Sequence, residues 1–239
     1  IGCGKSIKNI TGIKTINNFR AQDLTLSGQG APLVPIGDKI LFSKYKYCLN
    51  LGGFVNLSIK TKNKIIAYDI CPFNTVLNFY SKKLGYNFDI DGKLSESGKI
   101  KFDLLNKLNS IKFYFKKHPK SLGIEFVNST IFPLIDNFKI SYEDILATFV
   151  NHAAFQINQN IHDSKKVLVS GGGVFNRNLI SVLKKHYNLN ICIPENEIID
   201  FKEALIFGLL GVLRVENKIN CLKSVTGAKK DHCSGDIYY

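Results

Sequence analysis

The sequence predicts an α/β protein with a mixed sheet covered by helices, and two observations carry that prediction. Runs of alternating β-branched and apolar residues crowd the first third of the chain. Helical periodicity takes over from about residue 75, after which strand and helix patterns alternate to the end. Strands first and alternation later suit one sheet flanked by helices.

The expected strands of the first third are IKTINNF (13–19), YKYCLNLG (45–52), FVNLSIK (54–60) and KIIAYDI (64–70). Helices follow at 75–84 and 98–108, and a long one from Ser141, where SYED sets a capping serine three residues before Asp144. KKVLVSGGG (165–173) is a buried strand entering a glycine turn, NRNLISVLKKH (176–186) the helix after it, and LNICIP (189–194) a further strand. DFKEALIFGLLGVLRVEN (200–217) reads as a closing helix with Asp200 as its cap and Glu203 at the capping-box position.

Composition narrows the function classes. With 239 residues and 45% hydrophobic content, the chain can bury a substantial core. Its longest apolar run near the end, ALIFGLLGVL (204–213), is well short of the roughly 20 residues a bilayer span needs. No secretory leader pattern opens the sequence, so a cytoplasmic location and no membrane partner are expected. The six cysteines show neither a C-x-x-C pair nor a histidine at zinc spacing, which predicts reduced thiols and no metal site. There is no methionine, even at position 1, as expected of a processed or partial chain. The net charge of +13 is spread along the whole length among many Asn and Ile. FYFKKHPK (113–120) interleaves aromatics with bases, yet it reads as a solvated loop, and no nucleic-acid partner is expected.

Four stretches are candidates for chemistry. The opening IGCGKS looks like the end of a phosphate-binding P-loop, but Gly12 interrupts the following helix after about two turns, which argues against that reading. CLNLGGFVNLSI (48–59) places Gly52 and Gly53 between two strands, where backbone N–H groups can approach an anion closely; an ordinary hairpin turn is the alternative. VLVSGGGVFNRNL (167–179) runs a strand through Gly171, Gly172 and Gly173 into a helix capped by Asn176, a ready nucleotide or anion site. In NNFRAQDLTLSGQGAPLVP (17–35), Arg20 and Asp23 lie three apart, and a carboxylate beside an arginine stays ionised and can act as a general base; an exposed ion pair is the plain alternative.

Together, the two glycine turns and the upstream aspartate resemble the sugar-kinase, actin and heat-shock-chaperone ATPase fold, an actin-like or ribonuclease-H-like lobe. At finer grain, FRAQDLTLSGQGAPLVP, LNLGGFVNLS, YDICPFNTVLN, HPKSLGIEF, VSGGGVFNRNL, DFKEALIFGLLG and SVTGAKKDHCSGDIY are similar, in order, to the motifs of the anhydro-N-acetylmuramic acid kinase family. The resemblance implies an ATP- and Mg2+-dependent enzyme of cell-wall recycling. Such an enzyme opens the 1,6-anhydro ring of a small amino sugar with water and phosphorylates O6. It implies Asp23 as the base, with Arg20 beside it. Gly52, Gly53 and Asn56 would face the phosphates, and Gly171, Gly172, Gly173 and Asn176 the adenosine. Asp69, Asn74, Lys120, Ser121 and Glu203 would belong to the substrate cleft or its support, with Glu203 equally explained as a cap. Residues 1–45 would end a first lobe and 46–239 form a second ATPase lobe with a C-terminal tail, and a homodimer follows by analogy.

The departures from the family pattern are specific. Asn18 stands where many members carry the aspartate of Asp-Phe-Arg, YDICPFN replaces a Thr-Gly-Pro-Gly version, and Ile124 takes the place of an arginine. The family's first phosphate loop, of Gly-x-x-Ser-Gly-Thr-Ser-x-Asp-Gly type, has no counterpart here. A non-catalytic lobe acting as a sugar-sensing or interaction module is the second reading.

Overall fold

Chain entry into the sheet is set by residues that bury both faces. Tyr47–Leu51 is buried at four of its five positions, as expected of a strand covered on both sides. The computed structural model describes residues 2–239; Ile1, the first residue of the IGCGKS motif, lies outside the described residues. The strands are β1 (Thr15–Asn17), β2 (Tyr47–Leu51), β3 (Phe54–Lys60), β4 (Ile65–Pro72), β5 (Val167–Ser170), β6 (Ile191–Cys192) and β7 (Asp236–Tyr238). Five of them form one sheet in the order β4-β3-β2-β5-β6, and β1 pairs with β7 in a separate ribbon. In the larger sheet β2 runs antiparallel to β3 and parallel to β5, and β5 runs parallel to β6. A mixed α/β sheet is the class the alternation predicted.

Two compact units result. The first holds residues up to Lys44, Lys60–Ala67 and Phe201–Tyr239; the second holds Tyr45–Ile59 and Tyr68–Asp200. The core of the first gathers Phe19, Ile36, Ile65, Leu210, Cys221 and Val225. It also encloses the ion pair Lys202 Nζ–Asp38 Oδ1 at 2.7 Å, both side chains less than a tenth exposed.

In the second unit the long helix Tyr142–Asn158 supplies much of the core, burying Ile145, Leu146, Phe149, Val150 and Ala153. Ser141 caps it as expected, its hydroxyl accepting from the Asp144 N–H at 3.2 Å. His152, on the same helix, is fully buried. Its Nδ1 lies 2.7 Å from Asn109 Oδ1 and its Nε2 3.0 Å from the Tyr114 hydroxyl, so a neutral imidazole satisfies both neighbours. Burial pushes its pKa down to about 3.

Two sequence boundaries move. The helix expected over 98–108 begins at Phe102, because Gly98 packs its α-carbon against the backbone of Glu143 and the chain there stays extended. The closing helix begins at Asn196 rather than after Asp200. Asp200 is therefore inside the helix and caps nothing, and Glu203 sits exposed in its second turn, not in a capping box. The opening motif forms the helix Gly4–Thr11, which stops at Gly12 in the left-handed region (φ +71°). Its two turns are far shorter than the long helix a P-loop feeds, which agrees with the reading of Gly12 as an interruption.

Replacing Lys202 with methionine would leave Asp38 buried without its cation, and is expected to destabilise the chain by about 3–5 kcal/mol in urea unfolding. For His152 the sign is fixed by its lowered folded pKa. The unfolded chain takes up a proton near pH 6.5, whereas the folded chain resists until about pH 3. Stability from this site is thus complete above pH 6.5 and is lost as pH falls from there toward 3. The advantage of the wild type over His152→Gln should shrink across that interval, as read by denaturant unfolding at several pH values.

Candidate functional site

Parallel pairing of β2 with β5, from Tyr47↔Val167 to Asn50↔Ser170, brings two glycine turns to the same sheet end. β2 leaves the sheet through Gly52-Gly53, and β5 leaves it through Gly171-Gly172-Gly173. This is the carboxyl end of both strands, where open α/β sheets bind ligands.

The glycines have distinct reasons to be there. Gly171 has φ +82°, and a side chain on it would meet Asn50 Oδ1 and the Leu51 carbonyl. Gly173 is packed against Leu51 and Phe73, at 2.7 and 2.8 Å from where a Cβ would sit. Gly172 has open space within 4 Å of that position, so no packing demand explains it. On the other turn, Gly53 and Gly52 offer their carbonyls to the N–H groups of Phe73 (2.8 Å) and Asn74 (3.2 Å). Asn74 Nδ2 adds a bond to the Leu51 carbonyl at 3.2 Å, so the start of the helix Asn74–Lys83 is fastened to the turn.

Beside Gly172 lies a cavity of about 280 Å³, lined by Asn74, Phe88, Asp91, Gly172, Phe175 and Asn176 among others. Phe88 and Phe175 line it with rings that are 54% and 46% exposed. Asn176 caps the helix Arg177–Ser181, accepting from the Leu179 N–H at 2.9 Å, while its amide donates to Asp89 Oδ2 at 3.3 Å. Asp89 also accepts from the N–H groups of Leu94 and Ser95. Phe88, Asp89, Asp91 and Phe175 escaped the sequence reading. An aromatic directly after the glycine triplet was the available signal for Phe175, whereas Phe88, Asp89 and Asp91 lie long before β5 in the chain.

A second group in the same unit involves Asn56, Asp69 and Lys120. Asp69 Oδ2 accepts from the Leu122 N–H at 2.7 Å. Burial raises its pKa, moderated by Leu122 and by the Asn56 side chain. The Lys120 ammonium, 3.3 Å from the Tyr114 carbonyl and over the rings of Phe113 and Tyr68, is held below its ordinary range by burial. Ser121 is exposed beside it.

Asp23 belongs to the first unit and is fully buried. Its Oδ2 accepts from the Gly30 N–H at 2.7 Å, and its Oδ1 from the Thr226 hydroxyl at 2.6 Å and the Cys221 thiol at 3.2 Å. His232 Nε2 lies 3.5 Å from the same Oδ1. Burial alone would raise the carboxyl pKa; Thr226, Gly30, Cys221 and His232 outweigh it and hold the group below its ordinary range. Among the described residues Arg20 does not pair with Asp23. Its Nη1 donates to the Gly30 carbonyl at 2.6 Å, so Gly30, at φ +70°, is held from both sides. Gln29 N–H to the Thr226 carbonyl and Lys229 N–H to the Leu26 carbonyl complete the clasp. Asn18, exposed with φ +58°, donates to Asp236 Oδ2 at 2.7 Å. Glu203 is exposed on its helix.

Comparison with known proteins adds an independent finding. The family model described as anhydro-N-acetylmuramic acid kinase matches residues 1–239. A protein of that name from Aliivibrio fischeri is 32% identical, with all of this chain aligned to 69% of the relative. Those from Caldanaerobacter subterraneus subsp. tengcongensis and Pseudomonas syringae pv. syringae are 31% and 32% identical, with 99% and 100% of this chain aligned to 66% and 69% of theirs. The chain thus spans about two-thirds of the length of these relatives. Among solved structures, an activator of 2-hydroxyisocaproyl-CoA dehydratase from Clostridium difficile aligns with 68% of this chain and 59% of its own at 16% identity and a TM-score of 0.41. Among the described residues no helix is long and apolar enough to cross a membrane.

Gly172→Val fills space beside the cavity without touching packed atoms. It is expected to leave the melting temperature unchanged and to weaken binding of ATP at least about tenfold in isothermal titration.

Proposed function

Because the chain belongs to the anhydro-N-acetylmuramic acid kinase family, we propose that it serves the reaction of that family. Water opens the 1,6-anhydro bridge of anhydro-N-acetylmuramic acid, and the γ-phosphoryl of ATP passes to O6, giving the 6-phosphate and ADP. The observation that carries the reading is the pair of glycine turns at one sheet end beside a cavity bordered by Phe88 and Phe175.

In this reading the adenine enters the cavity against the Phe88 and Phe175 rings, as bases stack on aromatic faces. Gly171, Gly172, Gly173 and Asn176 line the adenosine. Backbone N–H groups of Gly52 and Gly53, with Asn56, face the phosphates, an arrangement that stabilises the charge moving in phosphoryl transfer. Magnesium would accompany the nucleotide and supply charge neutralisation at the γ-phosphate. Asp69, Asn74, Lys120 and Ser121 support that cleft.

Asp23 calls for a different assignment from the one the resemblance implies. A general base must lie within hydrogen-bond reach of the proton it takes, whereas the Asp23 carboxylate is enclosed and meets only protein donors. Its bonds support a positioning role, holding the Gly28–Gly30 loop against Thr226. Arg20 shares that role through Gly30, and exposed Glu203 is left with the sugar. A homodimer and a cytoplasmic location remain part of the proposal by family analogy.

A coupled ADP-release assay with Mg2+, ATP and anhydro-N-acetylmuramic acid tests the reading. Sugar-dependent ADP formation is expected. Its absence from folded protein that binds ATP would favour the non-catalytic module instead. In the same assay Asp23→Asn should lower both turnover and melting temperature; lost turnover at unchanged stability would restore the base.

A further inference from the structure

We propose that Asp23, Cys221 and His232 form a binding site for a divalent transition-metal ion of the zinc class, apart from the nucleotide's magnesium. The three residues come from distant parts of the sequence and meet inside the first unit, each buried, with one ligand atom apiece lying within 4.8 Å of the others. Their separations suit a shared ion. Asp23 Oδ1 is 3.2 Å from Cys221 Sγ and 3.5 Å from His232 Nε2. Zinc bound to oxygen and nitrogen at about 2.0 Å and to sulfur at about 2.3 Å in a tetrahedral arrangement spaces its ligand atoms at roughly those distances.

His232 is buried at this cluster with its Nε2 3.5 Å from Asp23 Oδ1. Its Nδ1 lies 3.1 Å from the Lys230 carbonyl oxygen, which only accepts, so this nitrogen carries the proton. Nε2 is then the ring atom turned toward Asp23. It is buried, has no hydrogen-bond partner among the described residues, and points at a carboxylate oxygen. A buried ring nitrogen without a partner, facing a carboxylate oxygen, marks a place for a cation. A histidine whose far nitrogen donates to a backbone carbonyl while the near one is free is the arrangement metal sites use to orient an imidazole.

The rest of the shell agrees. Asp23 Oδ2 is held by the Gly30 N–H, which turns Oδ1 toward the cluster, and the Thr226 hydroxyl at 2.6 Å from Oδ1 steadies the carboxylate. Thiolate, imidazole and carboxylate together favour zinc over the hard cations magnesium and calcium. Binding replaces the thiol proton: the Cys221 S–H bond breaks, the sulfur ligates the ion, and one proton leaves to solvent. The ion ties Asp23 to Cys221 and to the C-terminal segment bearing His232, so its place in the molecule is structural. A proton on Nε2, making an imidazolium paired with Asp23, is the competing occupant of the same gap.

The test uses the full chain with Zn2+ and Co2+ as probes and reads the metal, not the reaction. Chelator-competed Zn2+ titration is expected to give one site per chain. The Co2+ form is expected to show a thiolate-to-metal charge-transfer band that disappears in Cys221→Ser. His232→Asn should weaken Zn2+ at least about 100-fold. Zn2+ should raise the melting temperature of the wild type relative to a chelator-treated sample, a measurement that needs no variant. Absence of both a Zn2+ site and a melting shift in folded wild-type protein would overturn the proposal, as would a charge-transfer band that survives in Cys221→Ser. Either result would leave the kinase reading untouched, since ADP release is measured separately.

Discussion

Parallel pairing of β2 with β5 is the contact on which the candidate nucleotide site depends. The two strands are far apart in sequence, and each leads into its own glycine turn. Set side by side from Tyr47↔Val167 to Asn50↔Ser170, they deliver Gly52-Gly53 and Gly171-Gly172-Gly173 to one sheet end. The closeness has a steric condition: Gly171 and Gly173 lie where a Cβ would meet Asn50 or Leu51. Glycine here lets two strand ends approach, and only Gly172 is left without a packing reason. The fully buried Tyr47, Leu49, Leu51, Val167 and Val169 hold that pairing in place.

In the first unit the organising group is a carboxylate. Asp23 joins the Gly28–Gly30 loop, the short helix Lys223–Thr226 and the segment carrying His232 through one pair of oxygens. A buried charge is tolerated only when hydrogen bonds and opposite charge compensate for its lost hydration; Gly30, Thr226 and Cys221 supply the hydrogen bonds. This explains why GQGAP and SVTGA read as fixed motifs: Gly30 must take φ +70°, and Thr226 must bring a hydroxyl to the carboxylate. Arg20 takes part through the Gly30 carbonyl and not through the charge of Asp23.

Signals local in the chain are legible in the sequence, and those created by folding are not. The cap at Ser141, the cap at Asn176, the left-handed stop at Gly12 and the strands β2 to β6 follow from spacing over a few residues. Asp200 and Glu203 imitate a capping box, which points to a helix beginning at Phe201, five residues after its observed start at Asn196. Phe88, Asp89 and Asp91 reach the cavity from a turn long before β5, and no periodicity connects them to the glycine triplet. The partners of Asp23 are the extreme case. Cys221 and His232 lie about 200 residues away and show no metal-ligand spacing, so only the fold brings a thiol, an imidazole and a carboxylate together.

The measurement that bears most directly on the account is amide hydrogen exchange of the chain with and without Mg·ATP. A nucleotide bound at the ends of β2 and β5 predicts added protection over residues 50–56 and 171–179 and at the start of the helix Asn74–Lys83. Binding that leaves those segments unchanged and protects others would contradict the claim that the two glycine turns form the nucleotide site.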